Sequence, residues 1–204
     1  MDQELASVKK PGEKEYVSRD EWEARISEIA KCKRDIVYFA EHYFRVINLD
    51  KGLHIIKLYD IQKEFLRFLV DNNKVICCSG RQQGKSTIYC IYALWVATFF
   101  NEKKIMILAN KSQTALELLG RIETAYEYLP KWIKQAALEF NKSSVTFANM
   151  SCIKAFASSS DAARGFSANC VHRNTKVTIR LFKLIKLTIP IKWLSFFCKN
   201  VNSR

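Results

Sequence analysis

The chain has 204 residues, 49% of them apolar, a globular composition with room for one medium domain and its core. A formal charge of +13, from 33 Lys and Arg against 20 Asp and Glu, excludes an acidic chain and suits a polyanionic partner, nucleic acid first. The surplus is uneven: Cys170–Arg204 holds eight basic residues and no acidic one, so residues 1–169 carry a net charge of only +5. The body is mildly basic and the tail strongly so, which suggests two different objects in one chain.

Seven cysteines show no C-x-x-C pair and no Cys/His zinc spacing, and no signal peptide opens the chain. A reducing, cytoplasmic setting is expected. The longest apolar run, Ile88 to Phe100, is too short to span a bilayer, and no membrane partner is expected.

Residues 1–17 are polar, contain Pro11-Gly12, and read as a flexible arm. Ser18 followed by Glu21 is a capping-box pattern, and Trp22, Ile26 and Ile29 then recur at helical spacing. A second helix is expected from Asp35 to about Val46, with Ile36, Phe39, Ala40 and Tyr43 on one face and a turn at Asn48–Gly52 behind it. Residues 18–57 thus read as a helical lid subdomain. A helix from Leu58 to Val70 opens the next unit, residues 58–169.

Lys74–Cys78 reads as a short buried strand, Ser79–Gly84 as a polar, glycine-containing turn, and Lys85 to about Phe100 as a helix. Lys104–Ala109 is a second buried strand, and Ser112–Tyr128 a helix stopped before Pro130. Ser144–Ala148 and Ser151–Ala157 read as a hairpin. Strand, loop, helix, strand, helix predicts an α/β fold with a doubly wound parallel sheet.

Ser79-Gly80-Arg81-Gln82-Gln83-Gly84-Lys85-Ser86 matches the phosphate-loop pattern G-x-x-x-x-G-K-[ST] except at the first position. Small residues let backbone N–H groups turn inward around phosphate oxygens, and the following helix adds its positive end. This predicts a P-loop NTPase with ATP and Mg²⁺ as ligands. Ser79, Gly80, Gln82, Gln83, Gly84 and Thr87 would cradle the nucleotide, Lys85 would reach the β and γ phosphates, and Ser86 would hold Mg²⁺. Arg81 is a candidate charge stabiliser beside the γ phosphate, and Gln62 is placed to read an adenine edge or to serve as a solvated helix residue. Arg164 is a second candidate for phosphate or DNA contact, or a surface arginine.

Such an ATPase also needs an apolar strand ending in Asp or Asp-Glu to help hold Mg²⁺ and orient water. After Asn72 the sole Asp is Asp161, which follows three serines, and no acidic residue comes after it. The chain is therefore expected to bind nucleotide and barely hydrolyse it. An intact helicase-like nucleic-acid ATPase, which also uses an upstream Gln, would need that acidic strand.

Together Tyr38–Phe44 with Ile47-Asn48, Leu58–Gln62, Ser79–Thr87, Ile107–Lys111 and Ala157–Gly165 resemble the large terminase subunit of tailed phages, especially the T4-like group. The resemblance covers about residues 20–169. It implies an ATPase that drives double-stranded DNA into a procapsid with a portal protein and a small terminase subunit. It also implies a setting in the host cytoplasm during infection, outside the finished virion, and a C-terminal nuclease that this chain lacks. By position, Gln62 would contact adenine, Arg81 and Lys85 the phosphates, and Ser86 the metal. In that family the acidic strand follows closely after the Arg-Gly matching Arg164-Gly165.

Cys170-Val171-His172-Arg173-Asn174-Thr175-Lys176-Val177-Thr178 resembles the opening block of an intein, with Asn174 where an Asp usually precedes the Thr. On this reading residues 170–204 are the N-fragment of a split intein and Cys170 is its nucleophile, attacking the carbonyl of Asn169. A separately encoded partner would supply the intein C-fragment, the acidic strand and the nuclease, and the basic tail would aid its capture. The same composition also suits frameshifted readthrough on a truncated remnant, a membrane-surface segment or a DNA-binding extension.

Overall fold

The computed structural model describes residues 18–48, 52–72, 75, 77, 80, 82–157 and 169–174. Helices α1 (Arg19–Arg34) and α2 (Ile36–Tyr43) are followed by strands β1 (Arg45–Asn48) and β2 (Gly52–Ile55), then α3 (Asp60–Asp71) and α4 (Lys85–Phe99). Strand β3 (Lys104–Ala109), α5 (Ser112–Glu127), β4 (Ala137–Asn141), β5 (Ser144–Phe147), β6 (Cys152–Ala157) and β7 (Cys170–Asn174) complete the order.

Helix α1 starts where the capping pattern places it, with the Ser18 hydroxyl accepting from the Glu21 N–H at 3.2 Å. Its expected apolar face is only partly used, since Trp22 and Ile26 are exposed and Cys32 is the residue it buries. In α2 the Asp35 carboxylate accepts from the Val37 N–H, and Ile36, Val37, Phe39 and Ala40 enter the core. The helix stops at Tyr43, short of the expected Val46, because Arg45–Asn48 pairs antiparallel with Gly52–Ile55. The two strands are chain neighbours, and their cross-strand pairing is not something helical periodicity running into Val46 reveals.

Glu28 ties the two helices together: its carboxylate accepts from the Tyr38 hydroxyl at 2.6 Å, the Tyr43 hydroxyl at 2.9 Å and Lys31 Nζ at 3.3 Å. The Tyr38 hydrogen bond, with that from Tyr43, lowers the Glu28 pKa below its ordinary 4.5 against the opposing effect of burial. A carboxyl with a depressed folded pKa contributes stability that is complete above its unfolded pKa and lost as pH falls through the folded one. Glu28→Gln should therefore cost roughly 1 kcal/mol near neutrality. It should also flatten the fall in urea midpoint as pH drops below 4.5; an unchanged acid dependence would show that the carboxylate holds nothing.

Helix α4 is apolar nearly all round and buries Ile88, Cys90, Ile91 and the run Ala93–Thr98, as a central helix must. Trp95 Nε1 donates to the Cys32 carbonyl at 2.8 Å and links it to α1. Its last carbonyls are satisfied from the β5–β6 turn: Asn149 Nδ2 donates to Ala97 O and Phe100 O, and the fully buried Ser151 donates its hydroxyl to Phe100 O.

The main sheet runs β4-β5-β6-β3-β7. Strands β6, β3 and β7 are parallel, while β4, β5 and β6 are antiparallel, so the sheet is mixed rather than wholly parallel. Lying between β6 and β7, β3 buries Ile105, Met106, Ile107 and Ala109, which explains its unbroken apolar run. The hairpin β5–β6 stands where expected, but β4 was not anticipated; it is a mostly exposed strand with Leu138 and Phe140 outward. Of the strand expected at 74–78, Val75 and Cys77 lie in no strand, and 74, 76 and 78 fall outside the described residues. Strand β7 begins at Cys170, the expected first residue of the tail, and pairs with β3. The expected division at 169/170 falls at the start of this strand, and residues 175–204 lie outside the described residues.

Candidate functional site

Helix α4 begins at Gly84, whose φ of +74° is left-handed and suits glycine. Gln82 also takes a positive φ, of +61°, in the same turn. Lys85, Ser86 and Thr87 form the first turn of α4, and that turn carries no acidic residue of its own against the helix's positive end. The Lys85 ammonium donates to the Gly80 carbonyl, folding across the turn that Gly80–Gly84 makes.

Gln62 reaches this loop from α3. Its Oε1 accepts from the Tyr59 N–H at 3.1 Å, and its Nε2 donates to the Gln83 carbonyl at 3.1 Å. Both ends of the amide are used: one caps α3, the other braces the turn ahead of α4. Fit is close here, since a Cβ on Gly84 would lie 2.7 Å from Gln62 Nε2. The residue expected to read an adenine edge is placed as a strut between α3 and the loop, which no local pattern could have indicated.

Lengths set the site within the fold. At about 1.5 Å per residue α4 is roughly 22 Å long, and at about 3.3 Å per residue β3 is roughly 20 Å. Helix α4 returns into β3 through the short turn after Phe99, and Asn149, beside the start of β6, caps its carboxyl end. The amino end of α4 and the carboxyl ends of β3 and β7 therefore share one end of the structure, where open α/β sheets bind their ligands.

Of the expected site residues, Gln62 bonds Gln83, Lys85 bonds Gly80, and Lys85, Ser86 and Thr87 open α4 behind Gly84. Ser79, Arg81 and Arg164 lie outside the described residues. A cavity of about 320 Å³ beside Thr87 is lined by Phe44, Arg45, Val46, Ile47, Cys90, Arg121 and Thr124. Sequence reasoning singled out neither Arg45 nor Arg121, because only the packing of β1 against α5 brings them near one another. Burial pushes the Cys90 thiol up to about 12, so it is a packing residue. Among the described residues no cluster of His, Cys, Asp or Glu could hold a metal ion, and no helix is long and apolar enough to cross a membrane.

The described residues form a mixed α/β arrangement in which a glycine-bearing turn feeds a central helix. Residues 76–173 match the family described as the N-terminal part of the large terminase subunit, T4-like-virus type. Over those residues, somewhat under half of the chain, it is similar to large-terminase N-terminal segments. The fold is also similar to that of the large terminase of bacteriophage HK97, with a TM-score of 0.57 at 15% identity over 69% of this chain. The chain spans 30% of the length of that protein. The family match runs on to Arg173, three residues past Cys170.

Proposed function

We propose that this chain is the nucleotide-binding front part of an ATP-driven motor that packages double-stranded DNA into viral procapsids, with a P-loop NTPase core. The observation that carries this reading is the Gly80–Thr87 turn at the acid-free amino end of α4, braced by Gln62, within a segment of the terminase family. Residues 18–57 serve as its helical lid and 58–169 as its core, and DNA, a portal protein and a small terminase subunit are its partners in the host cytoplasm.

The residues present fit Mg-ATP by their chemistry. Backbone N–H groups of the turn and the α4 amino end attract an anion, Lys85 carries the charge for the β and γ phosphates, and Ser86 offers a hydroxyl to the metal. Arg81 and Arg164 are the candidate charge stabilisers, and Thr87 completes the loop. Bound Mg-ATP supplies the phosphoanhydride that drives the motor. Saturable binding of Mg-ATP by the full chain tests the reading; no binding at millimolar ATP would overturn it.

The same proposal assigns Cys170–Arg204 to a splicing fragment. The Cys170 thiolate attacks the Asn169 carbonyl carbon, the C–N bond breaks, and the freed amine takes the proton, so an amide becomes a thioester without loss of atoms. Exchange with a separately encoded half would then join Asn169 to the acidic strand and nuclease. A second reading, a non-splicing terminase remnant that binds ATP only, draws on the family match crossing Cys170 and on β7 pairing with β3. Tryptic peptides from producing cells decide between them. Splicing yields a peptide from Gly165 through Asn169 into a new apolar stretch ending in Asp-Glu. Only the unspliced Gly165–Arg173 peptide would leave the remnant.

A further inference from the structure

The cavity beside Thr87 is lined by two arginines from separate elements and by no carboxylate. Arg45 opens β1 opposite Ile55, and just before it the Phe44 carbonyl accepts from the Ile56 N–H at 3.0 Å. Arg121 lies on α5 one turn beyond Leu118, whose carbonyl accepts from the Cys90 thiol at 3.6 Å. Burial of Leu118, Leu119 and Ile122 fixes the face that α5 turns to the core, and Arg121 stays exposed while lining the cavity. Neither arginine side chain has a hydrogen-bond or ion-pair partner among the described residues. The two hydroxyls in the lining differ. Thr124 donates its proton to the Gly120 carbonyl at 2.9 Å, while Thr87 makes no side-chain bond among the described residues.

A recess whose charged groups are all cations focuses a positive potential, and its guanidinium groups repel each other until an anion enters. A guanidinium fork suits carboxylate and phosphate alike, but two forks and a hydroxyl supply donors for more than the two oxygens of a carboxylate. With Phe44, Val46 and Cys90 also in the lining, a volume of about 320 Å³ leaves room for a group attached to the anion. We propose that this cavity is a second oxyanion site, suited to a phosphate group, with Arg45 and Arg121 as its clamps and Thr87 as its hydroxyl donor. Its lining includes neither the Gly80–Gly84 turn nor Gln62, so the site does not depend on whether that turn takes ATP. The phosphate is either free or an ester on a nucleic-acid backbone; the chemistry recognised is the same.

The test uses the full chain carrying Lys85→Ala, which removes the cation of the turn. Inorganic phosphate is titrated calorimetrically at constant ionic strength, with acetate as the control anion. Saturable phosphate binding is expected, weakened about tenfold by Arg121→Gln or by Arg45→Gln, with acetate binding far weaker. Arg121 is exposed on a helix and glutamine is a good helix former, so Arg121→Gln decides the matter alone should Arg45→Gln fail to fold. Fluorescence anisotropy with a short DNA duplex then identifies the source. If the arginine variants weaken duplex binding and phosphate competes with the duplex, the ligand is the nucleic-acid backbone. Duplex binding that is unchanged while phosphate binding falls assigns the site to free phosphate. No saturable phosphate binding, acetate binding of equal strength, or phosphate binding unchanged by Arg121→Gln each overturns the proposal. Those results would leave Mg-ATP binding by the parent chain, and so the nucleotide reading, untouched.

Discussion

Replacing Lys85 by alanine is expected to weaken ATP binding by about 100-fold, roughly 2.7 kcal/mol, as befits loss of a charge-assisted contact to phosphate. Lys85 is the first residue of α4 and reaches across the Gly80–Gly84 turn to the Gly80 carbonyl. Its charge therefore stands at the amino end of α4, whose own first turn carries no acidic residue. Alanine keeps the helix, so circular dichroism and the urea midpoint should change little, whereas calorimetric titration with Mg-ATP should show the loss. Lys85→Arg should retain part of the affinity, because charge survives while the reach and shape of the head group change. Equal ATP affinity in the parent and Lys85→Ala would mean that the turn is a structural feature and not a phosphate site.

Gly84→Ala should damage the loop by two routes. The left-handed φ of +74° costs an L-residue about 1 kcal/mol. The new Cβ would also meet Gln62 Nε2 at 2.7 Å, so Gln62 must withdraw and release the Gln83 carbonyl. Together these should destabilise the protein by about 2 kcal/mol, measured by urea unfolding, and weaken ATP binding at the same time. The steric part has a signature of its own. In a Gln62→Ala background the clash is gone, so Gly84→Ala should cost about 1 kcal/mol less than in the parent. Strict additivity of the two substitutions would show that Gln62 does not brace the loop at Gly84.

Much of the fold was legible from local pattern because those elements are decided locally. Lys104–Ala109 reads as a strand since a β-rich apolar run flanked by parallel neighbours has no polar face to alternate. Helices α3, α4 and α5 follow from their turn signals and apolar spacing, and the Ser18–Glu21 cap from residue type alone. The β1–β2 hairpin was misread as a helix end and a turn, and β4 was missed. Each is held by a partner strand or by packing that local periodicity does not encode.

The sequence by itself determined that a phosphate-loop pattern stands before an apolar helix and that no acidic residue follows Asp161. It also determined that a basic tail opens with cysteine. Only the tertiary structure decided what those features touch. The Gln62 amide is divided between the α3 cap and the glycine-bearing turn, the β5–β6 turn caps α4, and Cys170–Asn174 lies beside β3. The physical reason is one of range. Caps, turns and periodicity are settled within a few residues of chain, whereas sheet neighbours and side-chain struts depend on segments tens of residues apart being packed together.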